Sequence, residues 1–204
     1  YFPYARPGID ESDFAAIKRV LESQYLAQGE EIPAFESSYS AAVHATHTIA
    51  CNSGTAALHL AYMALGLDAE HGLLTSPVTF LSTANAARMV GAPVIFADID
   101  PATGNLDPDA VRDVLQKTQS PISAIAPIHL GGRVADMAAL KSVADEFGCR
   151  IIEDACHAPG AAYLDNNNQH MVGECAHSDG AVFSFHAIKH VAMGEGGALC
   201  TNDN

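Results

Sequence analysis

Basic residues are scarce in this chain: 10 lysines and arginines stand against 24 acidic residues in 204, for a formal net charge of −14. No basic stripe exists to neutralise phosphates, which excludes nucleic acid and anionic membrane surfaces as expected partners. Any anionic ligand must be held by local amides and a few chosen side chains, against an unfavourable overall field. No apolar run approaches membrane-spanning length, and no charged-then-apolar leader precedes the first helical pattern. A soluble, cytoplasmic protein is therefore expected. The cysteines (Cys51, Cys149, Cys156, Cys175 and Cys200) are odd in number and sit mostly in apolar, strand-like settings, which suits reduced thiols rather than a disulfide framework. Cys156-His157 with Cys175 and His177 lacks the gapped spacing of zinc ribbons, and no metal site is expected. Repeats and low-complexity tracts are missing as well.

What the chain does have is a regular alternation, with 49% hydrophobic residues, enough to bury a core as one domain. Asp10 caps a helix striped by Phe14, Ile17, Val20 and Leu21, and Phe35, Tyr39 and Val43 mark a second. Apolar strands then alternate with helices. Strands read at 48–51, 72–76, 93–97, 122–127 and 149–153 are followed by helices at 56–65, 79–89, 108–116 and 137–147 and by Asp154. Such alternation predicts βαβ units and a mostly parallel sheet. Asp165-Asn-Asn-Asn-Gln169 reads as a polar surface loop. The chain begins without Met and stops at Asn204, directly after a strand pattern, so a piece lacking its C-terminal portion is expected.

In parallel sheets ligands bind beyond the carboxyl ends of the strands, which directs attention to the residues there. Asn52-Ser53-Gly54-Thr55 follows the first strand and opens a helix, a phosphate cradle or an ordinary helix cap. It is neither a Walker loop nor a dinucleotide fingerprint. Asp154 ends its strand and needs a cationic partner or several donors; a protonated heteroaromatic nitrogen or a nearby turn would serve. Phe80 offers a flat face or a core aromatic. Ser184 and His186 share one face of an extended segment. Of only four lysines, Lys189 alone lies in a β-like apolar run entering a glycine-rich turn, where it is either a nucleophilic amine or a strand-end lysine reaching solvent. A phosphate cradle, an acid for a ring nitrogen, a stacking face and a lone amine are the parts that pyridoxal 5′-phosphate requires.

Asn52-Ser-Gly-Thr-Ala-Ala-Leu-His59, Glu153-Asp-Ala-Cys-His-Ala158, Phe183-Ser-Phe-His-Ala-Ile-Lys-His190 and Gly194-Glu-Gly-Gly197 together resemble the DegT/DnrJ/StrS family of sugar aminotransferases. The resemblance implies an α/β fold: the large domain of the aspartate-aminotransferase type, three-layer α/β/α with a mostly parallel mixed sheet, without the family's small C-terminal domain. It implies residues 1–30 as an N-terminal helix and substrate-side segment, and 31–204 as the cofactor domain. Lys189 and Asp154 would be catalytic, Lys189 holding the pyridoxal phosphate covalently and Asp154 pairing with its ring nitrogen. Ser53, Gly54, Thr55 and Ser184 would bind the phosphate, Phe80 would stack on the ring, and His157 would lie beside it. The implied partners are a UDP- or other nucleotide-linked keto sugar, glutamate as amino donor, and a second copy of the chain. Thr75–Ala86 and Asp98–Asn105 look most like the subgroup that makes UDP-4-amino-4,6-dideoxy-N-acetyl-β-L-altrosamine. Tyr4-Ala-Arg6-Pro7 and Gln28-Gly29-Glu30 depart from the family's usual Tyr-Gly-Arg and Gln-Gly-Pro. The alternatives are a truncated, non-catalytic homologue and an unrelated domain that binds a nucleotide or sugar phosphate at the Ser53 loop.

Overall fold

The computed structural model describes residues 5–204, so Tyr4 lies outside the described residues. In chain order, α1 (Glu11–Leu21) and α2 (Glu31–Val43) lead to β1 (His47–Cys51), α3 (Gly54–Ala64), β2 (Gly72–Thr75), α4 (Ser82–Met89) and β3 (Val94–Phe96). Then come α5 (Pro108–Lys117), β4 (Ile122–Ala126), α6 (Met137–Phe147) and β5 (Arg150–Asp154). The chain closes with β6 (Ala162–Asp165), β7 (Asn168–Met171), β8 (Gly180–Ser184) and β9 (Gly197–Thr201). Local chemistry sets the helix ends. Asp10 and Asp13 form a reciprocal capping box on α1. Asp107 caps α5 with Pro108 in its first turn, and α6 runs from its Asp136 cap to Gly148 in the left-handed conformation.

Seven strands form one sheet in the order β1-β9-β8-β5-β4-β2-β3. From β8 to β3 all neighbours pair in parallel. β9 runs antiparallel to both β8 and β1, so β1 points with the parallel set. Alternate residues along each strand feed opposite layers. Leu73, Ala124, Ile152 and Val182 pack with Leu58, Ala61 and Ala87 of α3 and α4. Leu74, Ile125 and Ile151 pack with Val111, Leu140 and Val143 of α5 and α6. Phe183, Phe185 and Ala198 pack with Val43, Phe35 and Tyr39 of α2. The result is a three-layer α/β/α domain with a mixed, mostly parallel sheet.

Two local expectations change. The 165–169 segment is not a loop but the tip of the antiparallel β6–β7 hairpin, whose two-residue turn is Asn166-Asn167 at φ 47° and 68°. Two residues at positive φ suit the primed turns that tight hairpins favour, and Asn tolerates that region. Helix α4 starts at Ser82 rather than Thr79, which frees Pro77–Leu81 as a turn at the sheet rim. The apolar stripe of α1 is not covered: Phe14, Ile17 and Leu21 are exposed. Among the described residues no helix is long and apolar enough to cross a membrane.

Candidate active site

Beyond the carboxyl ends of β5 and β8 lies a cavity of about 830 Å³. Ser53, Gly54, Thr55, Phe80, Asp154, His157, Ser184 and Lys189, the residues singled out in the sequence, all line it. They come from separate segments, so their meeting is a consequence of topology: β5 and β8 are neighbours, and α3 starts beside them.

One end of the cavity is built for an anion. The Ser53 hydroxyl caps α3 by accepting from the Ala56 amide at 3.1 Å. Among the described residues the amides of Gly54 and Thr55 have no protein acceptor, as the first turn of a helix leaves them. The helix dipole adds to their attraction for negative charge. Helix capping and anion binding are therefore compatible here, because they use different donors. Close packing aims the turn: a Cβ on Gly54 would lie 2.9 Å from Ser184 Cβ and 3.0 Å from Cys156 Sγ. One on Gly197 would lie 2.3 Å from the Ser53 carbonyl. Only glycine at both positions lets the start of α3 sit against β8 and β9. The Thr55 hydroxyl pairs with that of Ser82 at 2.8 Å.

In the same lining Asp154 is 2% exposed. Its Oδ2 accepts from the Thr83 hydroxyl at 2.6 Å and its Oδ1 from the Cys156 amide at 3.2 Å. A carboxylate offers about four acceptor positions. Two are filled by neutral donors, leaving room for a cationic N–H from a ligand. Burial, reinforced by Asp154, pushes the Cys156 thiol well up, so it stays protonated. The half-buried His157 ring is held below the usual histidine value by burial first and then by the charge of Lys189, with Asp154 opposing. It is neutral at pH 7, and its Nδ1 accepts from the Gly131 amide at 3.4 Å.

Phe80 is 63% exposed, so the core-aromatic reading fails and its ring is free to cover a ligand. Lys18, Lys117 and Lys141 each pair on a helix surface with Glu22, Asp113 and Asp145. Among the described residues Lys189, half-buried, has no carboxylate partner. A phosphate, a protonated ring nitrogen, a flat ring and an aldehyde each find a complementary group here, so the residues present fit pyridoxal phosphate. Sequence reasoning missed Thr83 and Cys156. Two adjacent hydroxyl residues, Ser82-Thr83, just after Phe80 were the available signal. The other suspected cluster disperses: Cys175 belongs to the core with Phe183, and His177 bonds the Tyr163 hydroxyl at 2.8 Å.

The chain is similar to known proteins along its whole length. It is 40% identical over 203 residues to the spore coat polysaccharide biosynthesis protein SpsC of Bacillus subtilis, covering 100% of this chain and 50% of that protein. It is 37% identical over 200 residues to the UDP-4-amino-4,6-dideoxy-N-acetyl-β-L-altrosamine transaminase of Campylobacter jejuni, covering 98% and 51%. A Streptococcus pneumoniae protein described as a sugar aminotransferase, solved in its PLP form, superposes with a TM-score of 0.89 at 25% identity, covering 100% and 53%. The chain thus spans about half the length of the curated relatives it matches. Its architecture is that of the aspartate-aminotransferase-like large domain. Residues 7–204 match the pattern of one family, and the chain belongs to it: the DegT/DnrJ/EryC1/StrS aminotransferase family.

Proposed function

We propose that this chain carries the cofactor site of a pyridoxal-phosphate-dependent aminotransferase. In this reading it converts a nucleotide-linked 4-keto sugar to the 4-amino sugar with glutamate as donor. The observation that carries the reading is one cavity holding a buried carboxylate, an open helix N-terminus and a lysine with no carboxylate partner among the described residues. The reaction named for the Campylobacter relative supports the substrate class. Residues 1–30 are proposed as the substrate-side segment and 31–204 as the cofactor domain, within a cytoplasmic homodimer.

Bound pyridoxal phosphate would supply an electron sink for the pair left on the substrate carbon when its proton departs. The chain supplies the rest. The amides of Gly54 and Thr55, with the Ser184 hydroxyl, hold the phosphate, and Ser53 fixes that turn by capping α3. Asp154 accepts from the ring nitrogen, and its burial strengthens that attraction by excluding water. Phe80 covers one ring face, and neutral His157 offers a hydrogen-bonding group beside the ring. Lys189 would hold the aldehyde through Nζ and, once an incoming amine has displaced it, would be the base placed to take and return the proton at the substrate carbon. The test is direct: incubate the protein with pyridoxal phosphate, nitrogen-labelled glutamate and a UDP-linked 4-keto sugar. The label is expected on the sugar by mass spectrometry, and a sugar that keeps its oxygen while 2-oxoglutarate never forms refutes the assignment.

A further inference from the structure

Asp154 is held by α4, from a residue to which the sequence assigned no role in the site. Thr83, in the first turn of α4, is 0% exposed and cannot itself reach a ligand. Its hydroxyl has three possible acceptors, Asp154 Oδ2 at 2.6 Å, the Thr79 hydroxyl at 2.8 Å and the Phe80 carbonyl at 3.1 Å. The shortest bond, to a charged acceptor, takes the proton. A hydroxyl has only one proton to give. In the 2.8 Å contact between Thr79 and Thr83 the donor must therefore be Thr79. The order is fixed: Thr79 hydroxyl to Thr83 hydroxyl to Asp154 carboxylate. From the core side the fully buried Tyr62 hydroxyl donates to the Thr83 carbonyl at 3.1 Å.

We propose that Thr79 and Thr83 are positioning residues, a two-hydroxyl chain that sets the orientation of the Asp154 carboxylate and ties it to the turn carrying Phe80. The inference deepens the proposed function and rests on it. The terminal torsion of an aspartate is broad, so an unpinned carboxylate would rotate. Thr83 holds one oxygen and the Cys156 amide the other, which leaves a fixed set of acceptor directions for a ring nitrogen. Thr79 is the residue before Phe80. The group that meets the ring edge and the group that covers the ring face are thereby held in one frame. A cofactor tilted off the carboxylate would also be tilted off Phe80.

Thr83→Val keeps the side-chain shape and removes the hydroxyl; Thr83→Ser keeps the hydroxyl; Thr79→Val removes only the outer donor. Each variant, with pyridoxal phosphate bound, is titrated with pH while the cofactor's absorbance is followed, and kcat and KM for the keto sugar are measured. In Thr83→Val the absorbance midpoint, which reports the lysine-bound imine conjugated to the ring nitrogen, is expected to move by about one unit. In the same variant kcat should fall about tenfold with KM within about twofold, the size expected for one bond to a charged group. Thr83→Ser should restore both, and Thr79→Val should shift the midpoint in the same direction by less. A Thr83→Val midpoint and kcat equal to wild type, in protein that binds the cofactor, overturns the positioning role. An unmoved midpoint in Thr79→Val overturns its outer half. A wild-type protein that takes up no pyridoxal phosphate overturns the proposed function itself, a different outcome.

Discussion

Gly54→Ala tests whether the anion end of the cavity is as tightly built as its geometry implies. Two effects oppose each other. Alanine is the better helix former, by about 0.5–1 kcal/mol in a helix interior and by less at the first position. Against that, the new Cβ would lie 2.9 Å from Ser184 Cβ and 3.0 Å from Cys156 Sγ. The Ser184 atom is next to the backbone of β8, a central strand, so it cannot swing aside. Overpacking of this kind costs about 1–3 kcal/mol. The clash wins, and a net loss of about 1–2 kcal/mol is expected. For a chain of 204 residues this lowers Tm by roughly 2–8 °C. Affinity for pyridoxal phosphate should fall as well, because the amides of residues 54 and 55 move with the turn. Circular-dichroism melting and equilibrium dialysis check the two effects. Ser184→Gly added to Gly54→Ala should recover part of the stability by removing the nearest atom. A Gly54→Ala protein that melts at or above the wild-type temperature and binds cofactor equally well would refute the close-packed cradle.

Further outcomes follow from the other groups. Asp154→Asn, which keeps the shape and removes the charge, should lower turnover by about 100-fold while phosphate-anchored cofactor binding weakens far less. Steady-state kinetics within threefold of wild type would contradict the assigned role. His157 has its folded value depressed below the ordinary 6.5, by burial first and then by Lys189. In the window just below 6.5 the unfolded chain therefore binds more protons at this site, and stability rises with pH there. Denaturant titrations of His157→Gln across that window should show a shallower rise than wild type; an identical slope would contradict it.

The fold was largely legible because the alternation of strands and helices is written as hydrophobic period. Helix α6 was read at 137–147 and is Met137–Phe147 in the structure, where Asp136 caps it and Gly148 stops it. The β6–β7 hairpin was not legible: Ala162–Asp165 and Asn168–Met171 are short, lack a clear alternation of apolar residues and pair only with each other. The stripe of α1 was visible, but amphipathicity says that a face is to be covered and not by what. At the site, Lys189, Asp154 and the Ser53 loop stood out as unusual residue types for their local pattern. Thr83 did not, because a threonine in a helical stretch looks like any surface hydroxyl until β5 is seen beside it. Phe80 was singled out, but its exposure was not legible, because it depends on α4 starting late.

The central claim is that the Lys189 amine holds the cofactor in the cavity it shares with Asp154. Borohydride treatment of the protein with added pyridoxal phosphate, followed by peptide mapping, tests it most directly. The account predicts one fixed pyridoxyl group, on Lys189, and none in a Lys189→Ala protein that still folds with a normal melting curve. Label spread over Lys18, Lys117 and Lys141, or retained in Lys189→Ala, would contradict it.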